Sequence, residues 1–196
     1  MKKYACLVLF AVFCGFGAVS FAQDATDTAA EPVVTEPAAT EPVVESKPAE
    51  DAGVWADMFP DGLIDSSGSP VSAGTLSGKI VGMYFSAHWC PPCRAFSPSL
   101  VQFRDANTDE FEVVFVSSDK SPEAQLEYMK EVGMNWPAVQ HGSEVSQKLK
   151  EKYEVVGIPM LVILGPNGEI ISKSGRNEVA NSPDSCLENW KAAAKK

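Results

Sequence analysis

Two cysteines stand two residues apart in the stretch YFSAHWCPPCRAFSP, residues 84–98, with Pro91 and Pro92 between them. Cys90 and Cys93 at this spacing admit three chemistries: a working dithiol, half of a metal site, or a structural disulfide. In a dithiol, the first thiolate attacks a substrate disulfide and the second resolves the mixed disulfide. A structural zinc site wants four ligands, usually with a second pair. The later His141 and Cys186 stand at no recognisable spacing, so no metal is expected. A copper carrier would use a wider cysteine spacing and a distal histidine. A bond closed over two residues at a helix start is labile, which disfavours a purely structural role. A peroxidase is disfavoured because the second cysteine lies too close and no threonine stands three residues before Cys90.

The flanking elements must hold this pair in place. KIVGMYFS, residues 79–86, is a continuous apolar run of strand length, as in a strand covered on both faces. From Cys93 onward, Phe96, Leu100 and Phe103 recur at helical spacing and mark an amphipathic helix, with Pro98 inside it expected to kink it. Cys90 therefore falls at a strand-to-helix turn and Cys93 in the first helical turn. Unpaired N–H groups and the positive dipole end favour a thiolate there. Proline lacks the N–H that would go unpaired at this position, and its fixed φ suits the first helical residues. Pro91 and Pro92 thus stiffen the loop that sets the sulfur separation, on the face a substrate meets.

Further elements follow. FEVVFVSS (111–118) is a second buried-type strand, and Ser121-Pro122 opens a helix lined by Leu126, Met129 and Val132 and ended by Gly133. Ser143 opens another helix to about Lys152. MLVIL (160–164) and EIISK (169–173) flank GPNG, a hairpin signal. Ser182-Pro183 starts a last helix with Leu187, Trp190 and Ala194 on one face. An extra hairpin is expected within 63–72, and Trp55 and Phe59 should pack the start of the domain. Alternating strands and helices with buried-type strands give an α/β fold, a central mixed β-sheet flanked by helices.

The ends bound the setting. Lys2 and Lys3, an apolar run from about Tyr4 to Val19 and the small residues Ser20 and Ala22 form a secretory signal pattern over 1–22, cut before Gln23. Left uncut, the run approaches the length of a membrane anchor. Residues 23–53 repeat a Thr-Glu-Pro unit and carry eight acidic residues against Lys47, the composition of a disordered, extended, acidic proline-rich linker. Residues 54–196 suit one domain. The whole chain carries a net charge of −10, with −5 on the domain, and shows no basic patch, so nucleic-acid binding is not expected. Once Cys6 and Cys14 leave with the signal, Cys90, Cys93 and Cys186 remain, and one thiol has no partner in the chain.

WCPPCR, Pro98 five residues past Cys93, and Gly157-Ile158-Pro159 before a strand together resemble the thioredoxin superfamily. YFSAHWCPPCR, FEVVFVSSD and GIPMLVILGPNGEII narrow the resemblance to its tryparedoxin and nucleoredoxin branch, from about Lys79 to Arg176. The resemblance implies a thioredoxin-like fold with Cys90 as nucleophile and Cys93 as resolving thiol. Pro159 would be a cis-proline facing the pair, with Ile158 offering backbone groups to a bound peptide. Trp89 would pack beside the nucleophile, and Trp136 in NWPAVQH would touch substrate. Tyr84 stands where thioredoxins proper carry a buried aspartate, which leaves the proton acceptor for Cys93 unassigned. Members of this branch are intracellular, whereas this chain opens with an export signal, so their electron donors do not carry over. The expected protein is an exported, periplasmic or secreted thiol–disulfide oxidoreductase. It would act as a monomer without a cofactor, on protein dithiols and disulfides, with a membrane protein as electron donor. A disulfide-donating oxidase and a binding module with little turnover stay open beside the reductase or isomerase.

Overall fold

The computed structural model describes residues 53–195. The signal pattern over 1–22 and all but the last residue of the acidic linker lie outside the described residues. The elements are α1 (Gly53–Met58), β1 (Leu63–Ile64), β2 (Pro70–Val71), β3 (Ile80–Ser86), α2 (Pro91–Asp105), β4 (Phe111–Ser117), α3 (Pro122–Val132), α4 (Glu144–Lys152), β5 (Met160–Leu164), β6 (Ile170–Ser172), α5 (Gly175–Asn181) and α6 (Pro183–Ala194). A short 3₁₀ turn, Ala73–Leu76, leads into β3.

The central sheet runs β4-β3-β5-β6, with β3 parallel to β4 and antiparallel to β5, and β5 antiparallel to β6. The expected mixed sheet is thus present, as is the small hairpin, where Leu63 pairs with Val71. Successive residues of a strand point to opposite faces, and β3 divides its side chains accordingly. Ile80 and Tyr84 join a core with Phe96, Leu100 and Phe103 of α2, Tyr128 and Met129 of α3, and Trp190 of α6. Val81, Met83 and Phe85 join a second core with Trp55 and Phe59, Leu76, and Leu149 and Tyr153. Gly82 sits on the first of these faces, where a Cβ would lie 2.9 Å from the Phe111 ring; only glycine leaves that ring its place.

Helix α2 is one element with Pro98 inside it. Its N-terminal half is clamped in the core by Cys93, Phe96 and Ser97, all buried, and this packing outweighs the one hydrogen bond that proline removes. In α3 the buried face is Gln125, Tyr128 and Met129, while Leu126 and Val132 are only partly buried. Ser121 caps α3 by accepting from the Ala124 amide, and Gly133 ends it in the left-handed region at φ 75°. Trp136 also departs from the sequence expectation. It is 1% exposed within the first core and so is not open to a substrate. The reason lies in the backbone. Phe115 N–H donates to the Pro137 carbonyl and Val139 N–H to the Phe115 carbonyl, while Ile64 and Ala138 exchange both their hydrogen bonds. This stitching lays the segment along β4 and turns the indole inward.

Candidate active site

The sulfur pair sits where β3 hands over to α2. The Cys90 amide donates to the Ala87 carbonyl, and Cys90 itself is the extended N-cap residue of α2 at φ −94° and ψ 108°. With Pro91 and Pro92 in the first two helical positions, the first amides available are those of Cys93 and Arg94. Both donate back to the Cys90 carbonyl at 3.1 Å. Cys90 and Cys93 are joined as a disulfide with Cα atoms 5.2 Å apart.

Cys93 is fully buried, and Cys90 is only 4% exposed rather than lying open at the turn. In the disulfide, the Cys90 sulfur is tied inward to Cys93 and covered by Ile158, which packs on Ala87 and both cysteines. The Cys90 Sγ lies 3.8 Å from the Ile158 carbonyl oxygen. The Ile158–Pro159 peptide bond is cis, and both residues are half-buried opposite the pair. Pro91 and Pro92 are exposed on the rim. Trp89 is 57% exposed beside Cys90, its indole N–H donating to the Ser118 carbonyl at 3.0 Å. The structure therefore gathers Trp89, Pro91, Pro92, Ile158 and Pro159 around the sulfurs and leaves Trp136 in the core.

Several further residues take definite places around the pair. The Asp119 carboxylate, buried at the end of β4, accepts the His88 amide at 2.8 Å and the Ser117 hydroxyl at 2.7 Å. It fixes the loop that carries Trp89 and Cys90. The Asp119 carbonyl lies 2.8 Å from His141 Nε2, and Lys150 Nζ donates to the Ser117 carbonyl at 2.9 Å. Burial lowers the Lys150 pKa, opposed by the nearby Asp119 charge. His88 pairs with Glu131 at 2.7 Å and stacks on Tyr128. Arg94 is exposed and borders two clefts that flank the turn, one of about 300 Å³ with Trp89 and Lys120 and one of about 500 Å³ with Pro98 and Glu131. A larger recess between α2 and α6 lies away from the sulfurs and holds no sulfur or histidine. Among the described residues, no three His, Cys, Asp or Glu side chains come together as a metal site.

A family model described as thioredoxin-like matches residues 78–170, the span that holds β3, both cysteines and the Ile158–Pro159 step. A solved thioredoxin from Wuchereria bancrofti is 45% identical with a TM-score of 0.58, the match covering 67% of this chain and 94% of that one. This chain belongs to the thioredoxin superfamily. Tryparedoxin II from C. fasciculata is 32% identical with a TM-score of 0.63, covering 69% of this chain and 92% of that one. Mouse nucleoredoxin is 42% identical over 131 residues, covering 64% of this chain. These matches place the chain in the tryparedoxin and nucleoredoxin branch of a family of thiol–disulfide oxidoreductases. The chain spans 29% of the mouse protein's length.

The sequence did not single out Ser97 and Tyr128, whose hydroxyls lie against the turn of Cys93. Their signal was present but weak: Ser97 stands four residues past Cys93, on the same helical face.

Proposed function

We propose that this chain is an exported thiol–disulfide oxidoreductase that reduces or isomerises disulfides of other exported proteins. The observation that carries this reading is the Cys90–Cys93 disulfide at the start of α2, faced by the Ile158 carbonyl. In the reduced protein the Cys90 thiolate attacks a substrate disulfide, forms a mixed disulfide and expels one substrate thiolate. The Cys93 thiolate then attacks the Cys90 sulfur, expels the second substrate thiolate and closes the Cys90–Cys93 bond. Two electrons pass to the substrate. The full burial of Cys93 supports Cys90 as the sulfur of the first attack. The helix dipole at the first turn favours negative charge on sulfur there. Trp89, Pro91, Pro92, Ile158 and Pro159 form the rim against which a substrate peptide lies. A membrane protein dithiol returns the electrons.

Export rests on Lys2, Lys3 and the apolar run that follows them, and the acidic segment 23–53 serves as a spacer between the domain and a surface. The test is insulin-disulfide reduction by the full exported chain and its Cys90→Ser variant. The wild type is expected to turn over and the variant to lose turnover. A wild type that retains a partner yet shows no turnover would make the domain a binding module instead. Amino-terminal sequencing of the exported chain should begin at Gln23; a chain retained in the cytosol would remove the export half of the proposal.

A further inference from the structure

Four hydroxyls are buried together behind the disulfide: Tyr84, Ser86, Ser97 and Tyr128. Ser97 Oγ lies 3.0 Å from the Cys93 carbonyl oxygen, 2.8 Å from the Tyr84 hydroxyl and 2.7 Å from the Tyr128 hydroxyl. The Tyr128 hydroxyl lies 3.3 Å from Ser86 Oγ, and the Tyr84 hydroxyl 3.4 Å from the Cys93 carbonyl.

The Cys93 carbonyl, which only accepts, sets a direction for this cluster. Each hydroxyl has one proton, and a carbonyl only accepts. With Ser97 donating to the Cys93 carbonyl, both tyrosines must donate to Ser97 Oγ, which fills its lone pairs. If Tyr84 takes the longer bond to the carbonyl instead, Ser97 donates to Tyr84 and Tyr128 to Ser97. In either order that serves the carbonyl the chain ends on Cys93, with the positive ends of the O–H dipoles toward the first turn of α2. Hydrogen bonds in such a chain polarise one another, and the dry interior strengthens them. Burial, and then the neighbouring Tyr128, raise the Tyr84 pKa far above the ordinary range, which keeps this donor protonated. The His88 ring stacks on Tyr128 at 5.2 Å and its Nε2 is tied to Glu131, which covers the outer side of the cluster.

We propose that Tyr84, Ser97 and Tyr128 are positioning residues whose aligned hydroxyls favour the dithiol form of Cys90 and Cys93 over the disulfide. Positive dipole ends directed at this turn stabilise negative charge on the Cys93 sulfur, and thiolate character stabilises the reduced pair. Removing the hydroxyls therefore makes the pair easier to oxidise and a stronger reductant. The inference rests on the pair being redox-active, as proposed above, and concerns what sets its equilibrium.

The test equilibrates the full chain with glutathione and glutathione disulfide and traps the thiols. Two glutathione thiols reduce the Cys90–Cys93 bond and leave as one glutathione disulfide, so atoms and electrons balance. In Ser97→Ala and in Tyr128→Phe the disulfide-to-dithiol ratio at a fixed buffer is expected to rise by roughly 3- to 10-fold, a tenfold change being about 30 mV for this two-electron couple. Ser86→Ala, at the far end of the chain of bonds, should move it less than the other two. An unchanged ratio in Tyr128→Phe, or a shift toward the dithiol, overturns the proposal. Tyr128→Phe keeps the ring and its stacking, so it decides the matter even where Ser97→Ala fails to fold. The ratio is readable without insulin turnover: a wild type that equilibrates with glutathione yet leaves insulin untouched fails the enzyme reading alone, and an unmoved ratio in the variants fails this one alone.

Discussion

Two helices of this domain begin with proline and carry cysteine in their opening turns, yet their sulfurs face opposite circumstances. In α2, Cys90 is the N-cap and Cys93 sits in the first turn, facing the Ile158 loop and rimmed by exposed Trp89, Pro91 and Pro92. In α6, Cys186 follows Pro183, is 2% exposed, and packs in the core with Leu187 and Trp190. Its sulfur lies 3.7 Å from the Pro183 carbonyl oxygen. Burial pushes the Cys186 thiol up to about 11 from its ordinary value near 9, with Glu178 and Asp184 adding to the rise. A helix start is therefore not sufficient for a reactive sulfur. A second sulfur within bonding reach and an open rim make the difference.

The comparison breaks most sharply at Cys93. Cys93→Ser should cut insulin reduction by at least ~100-fold and accumulate a mixed disulfide on Cys90, because the resolving attack is lost; mass spectrometry of the trapped species reads this out. A weaker but still large effect belongs to the other region. Leu187→Ala is expected to cost ~2–5 kcal/mol of stability through the cavity it leaves, seen in denaturant unfolding, while the glutathione equilibrium of the folded protein stays put. Next comes alkylation of Cys186 in the native protein, which should climb about tenfold per pH unit toward pH 11, since only the thiolate reacts. The sign for stability follows. With the folded pKa raised, the protonated thiol's contribution is whole below pH 9 and is lost as pH rises through about 11. The smallest effect is Cys186→Ala, expected to leave insulin reduction within about twofold, as for a substitution remote from the chemistry.

The sulfur turn was legible because its residue types and its setting agree: an apolar run, a CPPC stretch and a helical stripe in sequence admit few arrangements. The two shortest helices were not. GVWADM in α1 and GRNEVAN in α5 span six and seven residues, too few for a 3.6-residue period to repeat. Helix α5 also depends on Gly175, where a Cβ would meet the Ile163 side chain at 2.6 Å, a fit decided by a strand twelve residues away. Trp136 was misplaced because a tryptophan before proline reads as an exposed loop until its neighbours' amides are seen to be spent on β1 and β4. Tyr128 was passed over in favour of Leu126 because apolar residues are taken to face inward. Here a buried hydroxyl partner at Ser97 makes the polar ring the better fit.

The segment 137–139 that turns Trp136 inward also guards the sheet. A bare edge strand is a template on which another chain can add, and β4 would present one. The short segment occupies both polar groups of Phe115, and on the same strand Glu112 is held at 5% exposure by a two-pronged pair with Arg104 at 2.8 and 2.7 Å. The opposite edge, β6, is three residues long and offers little to copy. Aggregation by sheet extension is thus discouraged on both flanks of a protein whose work, as proposed here, brings it against partly unfolded chains.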